Sequence, residues 1–394
     1  VPETFLEVGI AFAGIALASL VAAQLRFPSI PLLIVAGILL GPAVMSAVDE
    51  LRLMQVFAGF GIVLILFFLG LEFSVGDLLS GARRKVLNGL LDFAINFSLG
   101  LAVGLLLLDL SPLGALFVAG IVYISSSGLI ARLIFELQRA ARVETGLILS
   151  ILVFEDLVIA GYLAVLSSVS GGTEEAASFL QPALALGIVA ATIGTARFIS
   201  RGAQRLLERI VSDELFVVAI FAALVLVAGL AEMVHISSAI GALLLGLILA
   251  ETGHVERIEQ RLRPVHDIFA GVFFLHFGLT IRLENIQAVL AAAAVAAIIS
   301  ILGKTATGLL AGRIAGLSFP ASLTAGLTLI PRGEFSIVLA ALAVSAGLSP
   351  LIGSFTAVYI LILAVAGSLL ARESLRIAAW VESLRRPKGN TTSG

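Results

Sequence analysis

Cysteine is absent from the 394 residues. That excludes a disulfide framework, thiol catalysis and a thiolate metal site. Charge is scarce as well: 13% of residues are Asp, Glu, Lys or Arg, against about 25% in soluble proteins. With 60% hydrophobic residues and a mean hydropathy of +1.14, the chain is not a soluble globular domain. It reads as an all-α polytopic membrane protein. The net charge of −2 gives no sign of a nucleic-acid partner. What the chain has in quantity is apolar runs long enough to cross a bilayer, which takes about 20 residues.

Thirteen spans are expected, at about 5–25, 29–47, 53–72, 86–108, 113–136, 145–168, 177–200, 213–231, 236–250, 265–280, 285–311, 320–344 and 351–371. The connections are short, so no soluble domain is inserted. Residues 372–394 read as a basic, amphipathic cytoplasmic tail. With the N-terminus outside, 20 Lys and Arg fall on inside segments and only Arg52 and Arg282 outside. The bias predicts N-out, C-in topology in the cell's inner (plasma) membrane.

The chain repeats itself. Ser29–Gly37 (SIPLLIVAG) aligns with Ser238–Gly246 (SAIGALLLG). Phe67–Leu71 aligns with Phe273–Leu279 after two extra residues. The shift of about 208 residues carries span one onto span eight. Seven spans is an odd number, so the second copy is inverted, as in many secondary transporters. Two spans are interrupted at their centres, by Ser125-Ser126-Ser127-Gly128 and by Pro331-Arg332-Gly333-Glu334. Pro removes a helix hydrogen bond and Gly weakens the helix. The same offset relates the two breaks. Small residues also pack helices in membranes, but the coincidence with the second break favours two discontinuous helices.

Glu155 and Asp156 sit near the middle of span six. An ionisable group at that depth is expensive and by default functional. Neighbours on a helix point about 100° apart, so each acid needs its own partner. A broken helix exposes a carbonyl end and an amide end. Arg332 answers one and Glu334 the other in span twelve. Span five has no charge; its carbonyls and the hydroxyls of Ser125, Ser126 and Ser127 are hard oxygen donors for an alkali cation, with Asp156 as counter-charge. Asp92 and Asn96 share a face of span four, either lining a cytoplasmic funnel or joining spans. His276 reads as a buried neutral histidine, and Glu72 as interfacial.

These residues resemble the cation:proton antiporter-2 family, which includes NapA-type sodium/proton antiporters and Kef-type potassium/proton systems. The resemblance rests on Leu25-Arg26-Phe27-Pro28 through Leu40-Gly41-Pro42, Phe67–Glu72, the Ser125–Gly128 break, Phe154-Glu155-Asp156, Lys304 and Pro331–Phe335. It implies an NhaA/NapA-like fold with two crossed discontinuous helices, in a thirteen-span homodimer. Spans 1–3 and 8–10 would be scaffold and dimer contact, spans 4–6 and 11–13 a moving core, and span 7 a linker. Asp156 would bind the cation or the proton, Ser125, Ser126 and Ser127 would line the site, and Lys304 would pair with Glu155. No cofactor is implied, only transported K⁺ or Na⁺ and H⁺. A cytoplasmic nucleotide-binding domain or subunit is a partner that Kef-type relatives suggest. NapA-type members carry Asp-Asp here, Kef-type ones usually Gln-Asp and electroneutral relatives Asn-Asp; Glu-Asp matches none, leaving selectivity and stoichiometry open.

The expected function is exchange of a monovalent cation for protons by an elevator-like movement; no enzyme activity is expected. Sodium-coupled symport of an organic anion stays open, since bile-acid-type symporters share the crossed-helix architecture. A channel fits less well, because channels draw rings of ligands from repeated subunits. An intramembrane aspartyl protease would need a Gly-x-Gly-Asp pattern, which the sequence lacks.

Overall fold

The computed structural model describes residues 2–25, 28–42, 44–48, 51–72, 82–170, 195, 198–233, 238–281 and 283–385. These are helical, with no strand among them. In chain order the helices are α1 (Pro2–Leu25), α2 (Ser29–Leu40), α3 (Leu51–Leu71), α4 (Ala82–Ala102), α5 (Pro112–Tyr123), α6 (Ser127–Glu136) and α7 (Val143–Ser170). After a helical stretch at 198–208 come α8 (Asp213–Met233), α9 (Ser238–Ala250), α10 (Val255–Leu279), α11 (Leu283–Ile314), α12 (Phe319–Thr328), α13 (Glu334–Ser345) and α14 (Leu351–Arg385). Helices occupy twelve of the thirteen expected spans; most of the seventh, 177–200, lies outside the described residues. Among the described residues, eight helical stretches are long and apolar enough to cross a membrane.

The chain forms two compact units. The first comprises Val1–Ala82, Leu157–Gln287 and Ile337–Ser354. Here α3 packs on α9 and α10, α2 on α10, and α8 on α9. One core of this unit joins Leu64 and Phe67 to Phe216, Leu224, Ile258 and Leu262. Two backbone-to-backbone contacts are related by the repeat. A Cβ on Gly37 would strike the Leu275 carbonyl oxygen, and one on Gly278 the Ile34 carbonyl oxygen. Likewise Gly70 meets the Leu243 carbonyl and Gly246 the Phe67 carbonyl. Gly246 is the repeat partner of Gly37, and Gly278 that of Gly70. Two copies related by a two-fold axis produce this pattern of exchanged contacts. At one rim of this unit Arg257 donates to Ile210 O (3.1 Å) and Asp213 (3.2 Å), and Arg261 pairs with Asp213 at 2.6 Å.

The second unit comprises Arg83–Asp156, Ala288–Ser336 and Phe355–Gly394. The repeat governs it too. Gly100 on α4 and Gly104 in the π-helical stretch Val103–Leu107 that follows it abut Ala119 and Ala115 on α5, while Gly308 and Gly312 on α11 abut Gly326 and Ser322 on α12. Even the caps recur. Ser111 accepts the Gly114 N–H at 3.2 Å to start α5, and Ser318 accepts the Ala321 N–H at 3.4 Å to start α12, each with a Pro in the first turn. A serine N-cap satisfies a helix-end amide, and Pro is tolerated where no amide partner is needed. The core of this unit gathers Ile130, Leu147, Ile151, Ala311, Ala325 and Leu329. The division cuts through α7 between Asp156 and Leu157 and through α13 between Ser336 and Ile337. The sequence reading assigns spans six and twelve whole to the core.

The last helix, α14, runs for 35 residues without a break, through the expected span 351–371 and into the basic segment after it. At 1.5 Å per residue that is about 52 Å. No Gly or Pro follows Gly367 until Pro387, so nothing stops the helix.

Candidate functional site

The two interruptions are real, and they touch. Helix α5 ends at Tyr123, with Ile124 extended (φ −70°, ψ 127°). Helix α12 ends at Thr328, and α13 begins at Glu334. Across the gap the Ser126 N–H donates to Pro331 O at 2.9 Å, and Ser125 Oγ lies 2.9 Å from Leu329 O. Ser336 Oγ donates to Ile121 O at 2.9 Å. A Cβ at Gly333 would collide with Ser126, so only glycine lets the segments approach this closely.

Arg332 is 1% exposed and serves both carbonyl ends. Its Nε and Nη2 donate to Val122 O at 3.1 and 2.9 Å, at the end of α5. Its Nη1 donates to Leu329 O (3.2 Å) and Ile330 O (2.8 Å), just past the end of α12. The carbonyl ends of helices carry partial negative charge, and one guanidinium with five donors offsets two of them. The sequence reading gave Arg332 one end only. Glu334 stands in the first turn of α13, where an acid complements the amide end.

Glu155 and Asp156 are residues 13 and 14 of the 28 in α7, at its middle. Both are buried, at 0% and 5% exposure. Glu155 accepts from the Ser125 N–H (2.5 Å), Ser125 Oγ (3.0 Å) and Lys304 Nζ (2.8 Å). Ser125 therefore sits on the Glu155 side of the site. Ser126 is buried, and Ser127 opens α6 half-buried.

Lys304 has a second acid. Its Nζ lies 2.9 Å from each carboxylate oxygen of Asp92, which is 0% exposed. Asn96 Nδ2 donates to Asp92 Oδ1 at 2.8 Å and to Thr307 Oγ1 at 3.0 Å. Of the two roles open to Asp92 and Asn96, the structure shows them joining α4 to α11. Both its acids and the Tyr123 ring, 5.5 Å away, hold Lys304 inside. Sequence reasoning missed Tyr123, Thr307, Ser300 and Tyr359. The Tyr359 hydroxyl is 2.7 Å from Ser300 Oγ and accepts from Arg332 Nε at 3.3 Å. Their only sequence signal is polarity inside apolar helices.

His276, in the first unit, lines a cavity of about 200 Å³ with Gln55, Thr280, Ser345 and Ser354. Its Nδ1 has no hydrogen-bond partner among the described residues.

Two touching helix breaks, with buried acids and bases beside them in an apolar bundle, define a membrane transport protein rather than an enzyme. The profile of the transmembrane sodium/hydrogen exchanger family matches residues 10–373, and the chain belongs to that family. It is 41% identical over 380 residues to the K⁺/H⁺ antiporter subunit KhtU of Bacillus subtilis, covering 94% of this chain and 93% of that one. It is 30% identical to the ammonium/H⁺ antiporter subunit AmhT of Alkalihalophilus pseudofirmus, covering 96% and 95%. Its fold matches the sodium proton antiporter MjNhaP1 of Methanocaldococcus jannaschii with a TM-score of 0.67 at 18% identity, covering 97% and 98%.

Proposed function

We propose that this protein exchanges a monovalent cation for protons, with Asp156 as the carboxylate that holds one or the other. The observation that carries the reading is the junction itself. Two broken helices meet at Ser126 and Pro331, and Glu155, at the middle of α7 with Asp156 next to it, is bound to Ser125. Glu155 is bound to Ser125 and Lys304; the cargo role is assigned to Asp156, the buried acid next to it on α7. Ser126, Ser127 and the carbonyls of the first break supply neutral oxygens. One carboxylate takes a proton or a cation but not both, and only an occupied, neutralised site moves readily. That competition is the coupling.

K⁺ is the first candidate cargo, on the 41% identity to a K⁺/H⁺ antiporter subunit. Na⁺ and ammonium are the alternatives that other relatives name. The proposed movement is elevator-like: the unit holding the site shifts against a scaffold that dimerises. The proposed orientation is N-terminus outside and C-terminus cytoplasmic, with a cytoplasmic regulatory domain or subunit as partner. Purified protein in proteoliposomes under an imposed pH gradient should exchange protons for K⁺, and the panel should include Na⁺, Li⁺ and ammonium. Uptake of a labelled organic anion without proton exchange would replace the reading with symport.

A further inference from the structure

Arg332 has a partner beyond the two breaks. Its Nε is shared between Val122 O at 3.1 Å and the hydroxyl oxygen of Tyr359, on α14, at 3.3 Å. Arginine can only donate, so Tyr359 accepts there, and its own hydrogen is left for Ser300 Oγ at 2.7 Å. Tyr359 and Ser300 are both buried, and the Phe355 ring stacks on that of Tyr359 with 5.4 Å between centroids. Ser300 stands one turn before Lys304 on α11, and residues four apart share a helix face. A closed circuit results. Lys304 donates to Glu155 at 2.8 Å, and Ser125 Oγ lies 3.0 Å from Glu155 and 3.5 Å from Arg332 Nη1. Arg332 then returns to α11 through Tyr359 and Ser300.

We propose that Tyr359, held by Ser300, is a positioning residue for the cation site: it sets Arg332, and Arg332 sets the two breaks. The proposal rests on the antiport reading above. Arg332 Nη2 holds Val122 O, and Nη1 holds Leu329 O and Ile330 O, the carbonyls at the edges of the breaks. The guanidinium is a rigid plane, so fixing Nε also fixes where the other two nitrogens point. A site already held in its binding geometry needs no ordering when cargo arrives, and affinity gains accordingly. Deleting the Tyr359 hydroxyl leaves Arg332 its carbonyl bonds, so the fold survives while the breaks gain freedom. Tyr359 acts through Arg332, without touching the cargo.

The test is the apparent affinity and maximal rate of cation/proton exchange in proteoliposomes at fixed pH. The probe is K⁺ or, failing that, the cation of the panel above that the parent exchanges. Tyr359→Phe and Ser300→Ala should each weaken apparent affinity about three- to tenfold, the worth of one hydrogen bond, with little change in maximal rate. The double variant should bind no more weakly than the weaker single one, because both changes cut the same link. A residue that only stabilises the fold would lower the yield of folded protein and leave the affinity of what remains alone. Unchanged affinity in Tyr359→Phe overturns the proposal, and so do losses that multiply in the double variant. So does a folded Tyr359→Phe that no longer exchanges, since its hydroxyl would then belong to transport itself. Should Tyr359→Phe fail to fold, Ser300→Ala is read in its place; failure of both to fold makes the pair structural and overturns the proposal. A parent that exchanges no cation for protons is a different result and defeats the antiport reading instead.

Discussion

Lys304 binds Asp92 more fully than it binds Glu155, with two carboxylate oxygens at 2.9 Å against one at 2.8 Å. The lysine therefore ties α11 to both α4 and α7. Removing one partner from a buried ion pair leaves an uncompensated charge and typically costs about 3–5 kcal/mol. Here a second acid remains, so the single losses should be milder. Thermal unfolding in detergent should show Glu155→Gln and Asp92→Asn each less destabilising than the two combined.

Asp156→Asn should abolish exchange while the protein stays folded. A neutral amide has the shape of the carboxylate but cannot alternate between proton and cation. Robust pH-dependent exchange by this variant would remove Asp156 from the mechanism.

Ser126→Ala and Ser127→Ala should each weaken apparent cation affinity more than maximal rate, because each deletes at most one neutral ligand. A concentration series of K⁺ at fixed pH separates the two parameters. Unchanged affinity in both variants would make these serines packing residues.

Arg332→Gln should be among the most damaging single changes in the chain. It removes bonds to Val122 O, Leu329 O and Ile330 O inside the bundle. Each orphaned buried acceptor costs about 1–3 kcal/mol. Loss of folded, extractable protein is expected, and Lys at this position should rescue little because it lacks the fork of donors. Full stability of Arg332→Gln would refute the capping role.

Arg139 is 8% exposed and donates to Ala371 O (2.7 Å), Ser374 Oγ (2.9 Å) and Arg372 O (2.9 Å) on α14. Arg139→Gln should lower the unfolding temperature and leave cation affinity alone, since nothing in the bond set reaches the breaks. A changed affinity at unchanged stability would contradict this.

Much of the architecture was legible because its causes are local. Pro331 and Gly333 cannot continue a helix, so the second break was visible, and the offset then located the first. The pairing of Lys304 with Glu155 followed from the resemblance and from the cost of lone charge in an apolar medium. Asp92 was harder. It lies 212 positions before Lys304, and spacing along one helix says nothing about which helix comes to meet it. Tyr359 and Ser300 were invisible for the same reason: a hydroxyl in an apolar run has no period.

The exchanged glycine contacts carry a consequence for how the chain is made. Gly37 waits for Gly278, and Gly70 for Gly246, across 241 and 176 positions of sequence. Each of these close fits joins one copy of the repeat to the other, none a copy to itself. An emerging first half therefore leaves the ribosome with these surfaces unmatched. Those surfaces close only when the second half has been threaded beside them. The duplicated halves are not two small proteins in tandem but the two sides of one clasp.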